Sequence, residues 1–247
     1  MTTKVKRPSY YELRNSEEYF NRYSIEAGNP WLLPQYTTDI SYSLQWHQLR
    51  FSVDYQRIKD YIISTNVIQQ ADPLVAMSKP ENFPHYSAVN ASLAYHTNVG
   101  VWEPYLNLNI MRTYMSLYNT DGSKIKNDKP YISMSFNSYF NLRHHWMPYV
   151  LLSYNSDGNM REYLVKQALW FSLGVTKHFA DNAWLVRLSL NNILGTKERE
   201  IRYASDYIFD KSSFKDGRRI SLLVRYTFKD KKRYKGESAA SEEIDRL

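Results

Sequence analysis

The chain has 247 residues, a formal net charge of +7, 22 tyrosines, 6 tryptophans and no cysteine. Without cysteine it can hold neither disulfide staples nor thiolate metal sites, and no apolar run approaches the ~20 residues that a membrane-spanning helix needs. Much of the basic excess sits in "TTKVKRP" near the start and in "KDKKRYKG" from Lys229; these read as solvated runs, and no nucleic-acid partner is expected.

Taken in chain order, the predicted elements are strands with an apolar face and a polar face, because successive side chains leave opposite sides of the pleat. Thr2 to Arg7 reads as the end of one strand. Thr38, Ile40, Tyr42, Leu44 and Trp46 then alternate with Asp39, Ser41, Ser43 and Gln45. After a turn at 46–48, Leu49, Phe51, Val53 and Tyr55 alternate with Arg50, Ser52, Asp54 and Gln56. The rhythm recurs in Val89, Ala91, Leu93 and Tyr95 against Asn90, Ser92 and His96, and in Leu106, Leu108 and Ile110 against Asn107 and Asn109. Ile132, Met134, Phe136 and Phe140 oppose Ser133, Ser135, Asn137 and Asn141, and Val150, Leu152 and Tyr154 oppose Ser153 and Asn155. Phe171, Leu173 and Val175 oppose Ser172, Gly174 and Thr176. Val186, Leu188 and Leu190 oppose Arg187, Ser189 and Asn191. Ile220, Leu222, Val224, Tyr226 and Phe228 oppose Arg219, Ser221, Arg225 and Thr227.

Short connections at 46–48, 98–103, 143–146 and 180–184 alternate with long ones at 63–84, 119–129, 155–160 and 195–217. A sandwich would turn its apolar faces inward and break the rhythm at its edges. Here an almost wholly apolar face opposes a small polar one, as in a membrane barrel with short periplasmic turns and long external loops. Trp46, Trp102, Trp146 and Trp184 each sit at a short turn, with Phe179 and Phe228 at the same level, and read as one aromatic girdle against outer-membrane lipid. The fold class is therefore all-β: an antiparallel transmembrane barrel segment of about ten strands over 1–228, followed by a charged periplasmic tail over 229–247. Arg50, Arg187, Arg219 and Arg225 fall on the polar face and are the candidate ligand-binding residues of a lumen.

Several motifs have plain structural readings. Gly28-Asn29-Pro30 is a turn former, and Asp121-Gly122, Asp157-Gly158 and Asp216-Gly217 are loop signals. His144-His145, placed on a strand, would point opposite ways, so no metal is expected. Asn90-Ala91-Ser92 is a glycosylation sequon in mid-strand. Asp60, Asp72, Glu81, Asp128 and Asp206 have no histidine partner beyond His85, so no enzyme and no cofactor are expected.

Three segments resemble the C-terminal barrel half of TonB-dependent outer-membrane receptors, within the family labelled outer-membrane β-barrel proteins. They are "RPSYYELRN" with "GNPWLLPQYTTDISYSLQW" (Arg7, Pro8, Gly28, Asn29, Pro30, Leu32 and Pro34), "LSLNNILGTKEREIRY", and the final strand with its tail from Asp216. The resemblance implies energised uptake of a scarce nutrient through the cell outer membrane, with the TonB system as partner. It also implies a plug and further strands, which would come from another polypeptide if the chain is a fragment, inactive alone. "MTTKVKRPSYYELRN" has no apolar core of a signal peptide. The alternative expectation is a stand-alone, porin-like barrel of ten strands.

Overall fold

A computed structural model describes residues 1–69, 72–115, 117–118, 124–125, 127–180, 182–204, 207–213 and 217–228. In chain order the described strands are β1 (Thr2–Lys6), β2 (Glu17–Asn21), β3 (Ser24–Ala27), β4 (Gln35–Trp46), β5 (Leu49–Gln69), β6 (Asp72–His96) and β7 (Trp102–Met115). They continue with β8 (Leu117–Tyr118), β9 (Lys124–Ile125), β10 (Tyr131–Phe140), β11 (Trp146–Asn155), β12 (Gly158–Met160) and β13 (Tyr163–Val165). The last are β14 (Ala168–Phe179), β15 (Trp184–Asn191), β16 (Glu198–Ala204), β17 (Tyr207–Ser213) and β18 (Arg219–Tyr226).

Ten of them form one wall in the order β1-β4-β5-β6-β7-β10-β11-β14-β15-β18. Each neighbour is antiparallel, so the wall is an up-and-down meander. Nine of these coincide with the nine alternating stretches of the sequence, and the tenth, β1, with the strand end read at Thr2 to Arg7. Among the described residues the wall is not closed: β1 and β18 each have one wall neighbour, and no pairing joins them. The expected tail over 229–247 lies outside the described residues.

The register keeps the two faces separate across the wall. One row runs from Trp46 and Leu49 through Tyr95, Leu106, Phe136 and Leu152 to Phe171. The next, on the opposite face, runs from Gln45 and Arg50 through Ala94, Asn107, Ser135 and Ser153 to Trp170. Trp46 ends its strand whereas Phe171 stands well above the lower end of β14 at Phe179. That stagger is the shear of strands tilted against a barrel axis.

The long connections differ from expectation. The 63–84 segment is no loop; β5 and β6 stay paired from Leu49↔Tyr95 up to Ile68↔Ala76. The 195–217 segment contains the β16–β17 hairpin, which with β12 and β13 makes a separate four-stranded sheet. β-branched and aromatic runs such as "YIISTNVI" and "EREIRYA" carry the pairing, but they do not alternate cleanly between polar and apolar, which hid them. Asp60 has φ 53° in the middle of β5. This left-handed residue breaks the alternation, and beyond it Tyr61 and Ile63 join Ile58, Tyr86, Ala88 and Met115 in a buried cluster.

The segment after "GNP" is fastened to that hairpin. Asn29 donates from Nδ2 to the Pro80 carbonyl (3.0 Å), and its Oδ1 accepts the Trp31 N–H (3.1 Å). Asn82 accepts the Leu33 N–H at Oδ1 (2.7 Å) and donates to the carbonyls of Leu33 (3.1 Å) and Asp60 (2.9 Å). β3 adds a parallel pairing, Ser24–Glu26 against Ala76–Ser78. Gly28 is required because a Cβ there would collide with the Arg14 main chain.

Candidate lumenal face and aromatic rim

The polar face is tied by short cross-strand hydrogen bonds. Ser52 and Ser92 hydroxyls meet at 2.7 Å, Asn107 donates to Ser135 (3.3 Å), and Asn191 donates to Ser221 (3.2 Å). Small hydroxyls and amides opposite one another satisfy each other without long side chains.

All four candidate arginines stand on this face, but the wall does not bring them together. Arg50 is on β5 beside Gln45 and Ala94. Arg187 on β15 lies opposite Thr176 and donates from Nε to its Oγ1 (3.0 Å). Arg219 and Arg225 on β18 stand opposite Asn191 and Leu185. Six strand steps of the wall separate Arg50 from the Arg187 strand.

The face is less uniformly small and polar than expected. Register places Leu151, Trp170, Leu185 and Leu223 on it. It also carries a run of rings: His96 stacks on Tyr105 (centroids 4.0 Å, planes 10° apart), Tyr105 meets Tyr139 edge-on at 5.7 Å, and Tyr139 lies 6.0 Å from Tyr149. Tyr149 lies across Gly174 and shares a 2.7 Å hydrogen bond with the Ser189 hydroxyl. Sequence reading missed these tyrosines; the clue was an aromatic at a polar-face position on one strand after another, with Gly174 beside the last.

The six girdle candidates fall on the opposite face, at the short-turn ends. Register sets Trp46 beside Leu49, Trp102 beside Phe140, Trp146 beside Lys177, and Trp184 beside Phe179. Phe228 packs on Tyr226 (4.6 Å), which packs on Trp184 (4.6 Å). Trp102 Nε1 donates to the Ser138 hydroxyl at 2.6 Å. Lys177 adds a cation: its Nζ lies 4.7 Å from the Trp146 ring centre and 5.5 Å from that of Phe179, and it donates to the His144 carbonyl. At the other end of the same face the apolar run stops at Arg57, Lys59 and Arg112. Arg112 pairs with Asp128 (3.7 Å) and approaches the Tyr114 ring (5.3 Å). Aromatic and charged residues thus bound an apolar band at both rims, the pattern that lipid headgroups select.

A hairpin folds over the polar face. β12 and β13 contribute Met160, Arg161 and Tyr163 to a cavity of about 930 Å³ whose other walls include Asp39, Asp54, Asn90 and Tyr131. Asn159 anchors the hairpin by exchanging hydrogen bonds with the Lys129 main chain (2.8 and 3.0 Å). At its base Asp157 accepts the Gln167 N–H and pairs with Lys129 and Lys166, each at 3.6 Å. That N–H, helped by the two lysines, holds the Asp157 carboxyl below the usual aspartate range. Among the described residues, the buried side-chain atoms without a hydrogen-bond partner include Asn90 Oδ1, Thr113 Oγ1 and Glu162 Oε2.

His144 and His145 stand in the turn Arg143–His145, both at positive φ (59° and 60°), not on a strand as the sequence reading assumed. Among the described residues no three His, Cys, Asp or Glu side chains converge on a metal position. Of the acids, Asp128 is paired with Arg112, Asp60 is the left-handed residue of β5, Asp72 opens β6, and Asp206 lies outside the described residues.

A family model described as the outer membrane protein β-barrel family matches residues 2–228. None of the curated proteins compared with the chain matches it.

Proposed function

The chain belongs to the outer membrane protein β-barrel family, and we propose that it forms part of the wall of a TonB-dependent receptor for nutrient uptake. Membership implies a place in the outer membrane. The observation that carries the finer reading is the pair of free wall edges: β1 and β18 are not joined to each other. In hydrocarbon each unmet backbone N–H or C=O costs several kcal/mol, so a spanning sheet must close. Further strands would close it, and a domain filling the lumen would pack against its polar face. The long β5–β6 hairpin and the loop latched to it are suited to meeting a ligand outside the cell.

Disulfide trapping in outer membranes tests this reading. Lys4→Cys is combined in turn with a cysteine at each position of β18. A larger barrel gives no cross-link within the chain at any position, and uptake of the nutrient requires TonB. A monomeric cross-linked species at one register would instead establish closure of ten strands and a porin-like pore.

A further inference from the structure

A cavity of about 390 Å³ opens on the polar face at its short-turn end, lined by Arg50, His47, His96, Tyr105, Asn107 and Ala94 among others. We infer that it binds a small organic anion, a sugar acid or sugar phosphate of one-ring size. This site is separate from the cavity under the β12–β13 hairpin, and it does not depend on which barrel the wall completes.

The register builds it. Arg50, Ala94 and Asn107 are neighbours in one row across β5, β6 and β7, and His96 and Tyr105 are neighbours in the next row on the same face. Ala94, the smallest of these side chains, leaves the floor open between the Arg50 guanidinium and the His96–Tyr105 pair. His47 borders the site in the turn after β4, where its φ is 52° and its ring meets Trp46 edge-on (centroids 5.1 Å). The lining holds a guanidinium, two imidazoles and several amides, and no carboxylate.

The chemistry of that set selects the ligand. A guanidinium with free donors binds carboxylate or phosphate oxygens in a fork, and amides such as Asn107 donate to hydroxyls. Arg50 has no carboxylate opposite it in either neighbouring strand. The rings of His96, Tyr105, Tyr139 and Tyr149 continue the site sideways over four strands. Aromatic faces carry negative charge and attract the weakly positive C–H face of a sugar ring. The volume lies at the small end of the range for ligand sites, which suits a monosaccharide-sized molecule.

The experiment is equilibrium binding of radiolabelled glucuronate, glucose 6-phosphate and glucose to outer membranes from cells making the full chain, with membranes lacking it as the blank. Saturable binding of either anion, and not of glucose, is expected at millimolar concentration or below. Arg50→Gln should weaken it about tenfold or more, the size of one charge-assisted contact. Ala94→Phe should abolish it by filling the floor. Lys4→Gln, on the same face but far from the short-turn end, opposite Thr37, should leave it unchanged, and all three variants should keep the gel mobility of the folded barrel. Glucuronate alone binding identifies a carboxylate site, and glucose 6-phosphate alone a phosphate site. The inference is overturned if neither anion binds, if glucose binds equally, if Arg50→Gln binds as tightly as the parent, or if Lys4→Gln loses as much.

Discussion

Replacing Gly174 by alanine should destabilise the folded wall by about 2–4 kcal/mol. A Cβ built at Gly174 would stand 2.5 Å from Tyr149 Oη, 2.6 Å from Tyr149 Cζ and 2.6 Å from the Leu188 carbonyl oxygen. The ring can tilt away, but the carbonyl belongs to the paired strand β15 and moves only if the ladder deforms. Overpacking of this kind costs typically 1–3 kcal/mol. Moving the ring also breaks the Tyr149–Ser189 hydrogen bond, adding roughly 1 kcal/mol. Urea unfolding of the detergent-embedded protein, followed by the mobility difference between folded and unfolded species, measures the loss. Tyr149→Ala removes the ring, so Gly174→Ala should cost less by about 1 kcal/mol in that background, the remainder being the Leu188 contact. A loss below about 0.5 kcal/mol in the parent, or equal losses in both backgrounds, would refute the packing argument.

Asn82→Ala should cost about 1–3 kcal/mol by orphaning the groups of Leu33 and Asp60 that it satisfies, and protease cleavage within 28–34 should accelerate while the wall stays intact. Lys177→Ala should remove about 0.5–1 kcal/mol of cation–π stabilisation at the rim and shift Trp146 fluorescence, whereas Lys177→Arg should preserve both. Asp157 holds its hairpin as a carboxylate, and its folded pKa is lowered chiefly by the Gln167 N–H. Its contribution is therefore complete above the ordinary aspartate pKa and is lost as the pH falls through the lowered value. Hydrogen exchange corrected for intrinsic rates should show the Gln167 amide losing protection in that acidic window, and Asp157→Asn should abolish the step.

Periodicity made the wall legible, since a half-buried strand in lipid must alternate and a one-residue slip would put Arg50 or Arg187 against hydrocarbon. For the same reason every residue from Leu49 to Gln56 lies on the face that its pattern indicates. The outer part of β5 and strand β16 escaped, because no single lipid-facing side imposes the period there: 62–68 and 198–204 pair without a clean alternation of polar and apolar residues. The arginines were legible as a face but not as a cluster, because period fixes the side of a sheet and not the distance between its strands. Tyr105, Tyr139 and Tyr149 could not be read singly either. Their meaning arises from cross-strand neighbours, Gly174 beneath Tyr149 above all, and register is what supplies those neighbours.

The β5–β6 hairpin has a mechanical side. A strand of 21 residues at ~3.4 Å per residue is about 70 Å long, whereas a tilted crossing uses only about 10 residues. Roughly half of the hairpin is therefore a cantilever over the cell surface. A load at the tip of such a beam produces its largest bending moment at the root. The side-chain ties of Asn82 and the buried cluster around Tyr61 and Tyr86 lie near that root, the Asn29 tie to Pro80 stands further out, and the parallel strand β3 braces the hairpin close to its tip. A push on the tip is thus passed into the wall as torque instead of being lost in a soft joint.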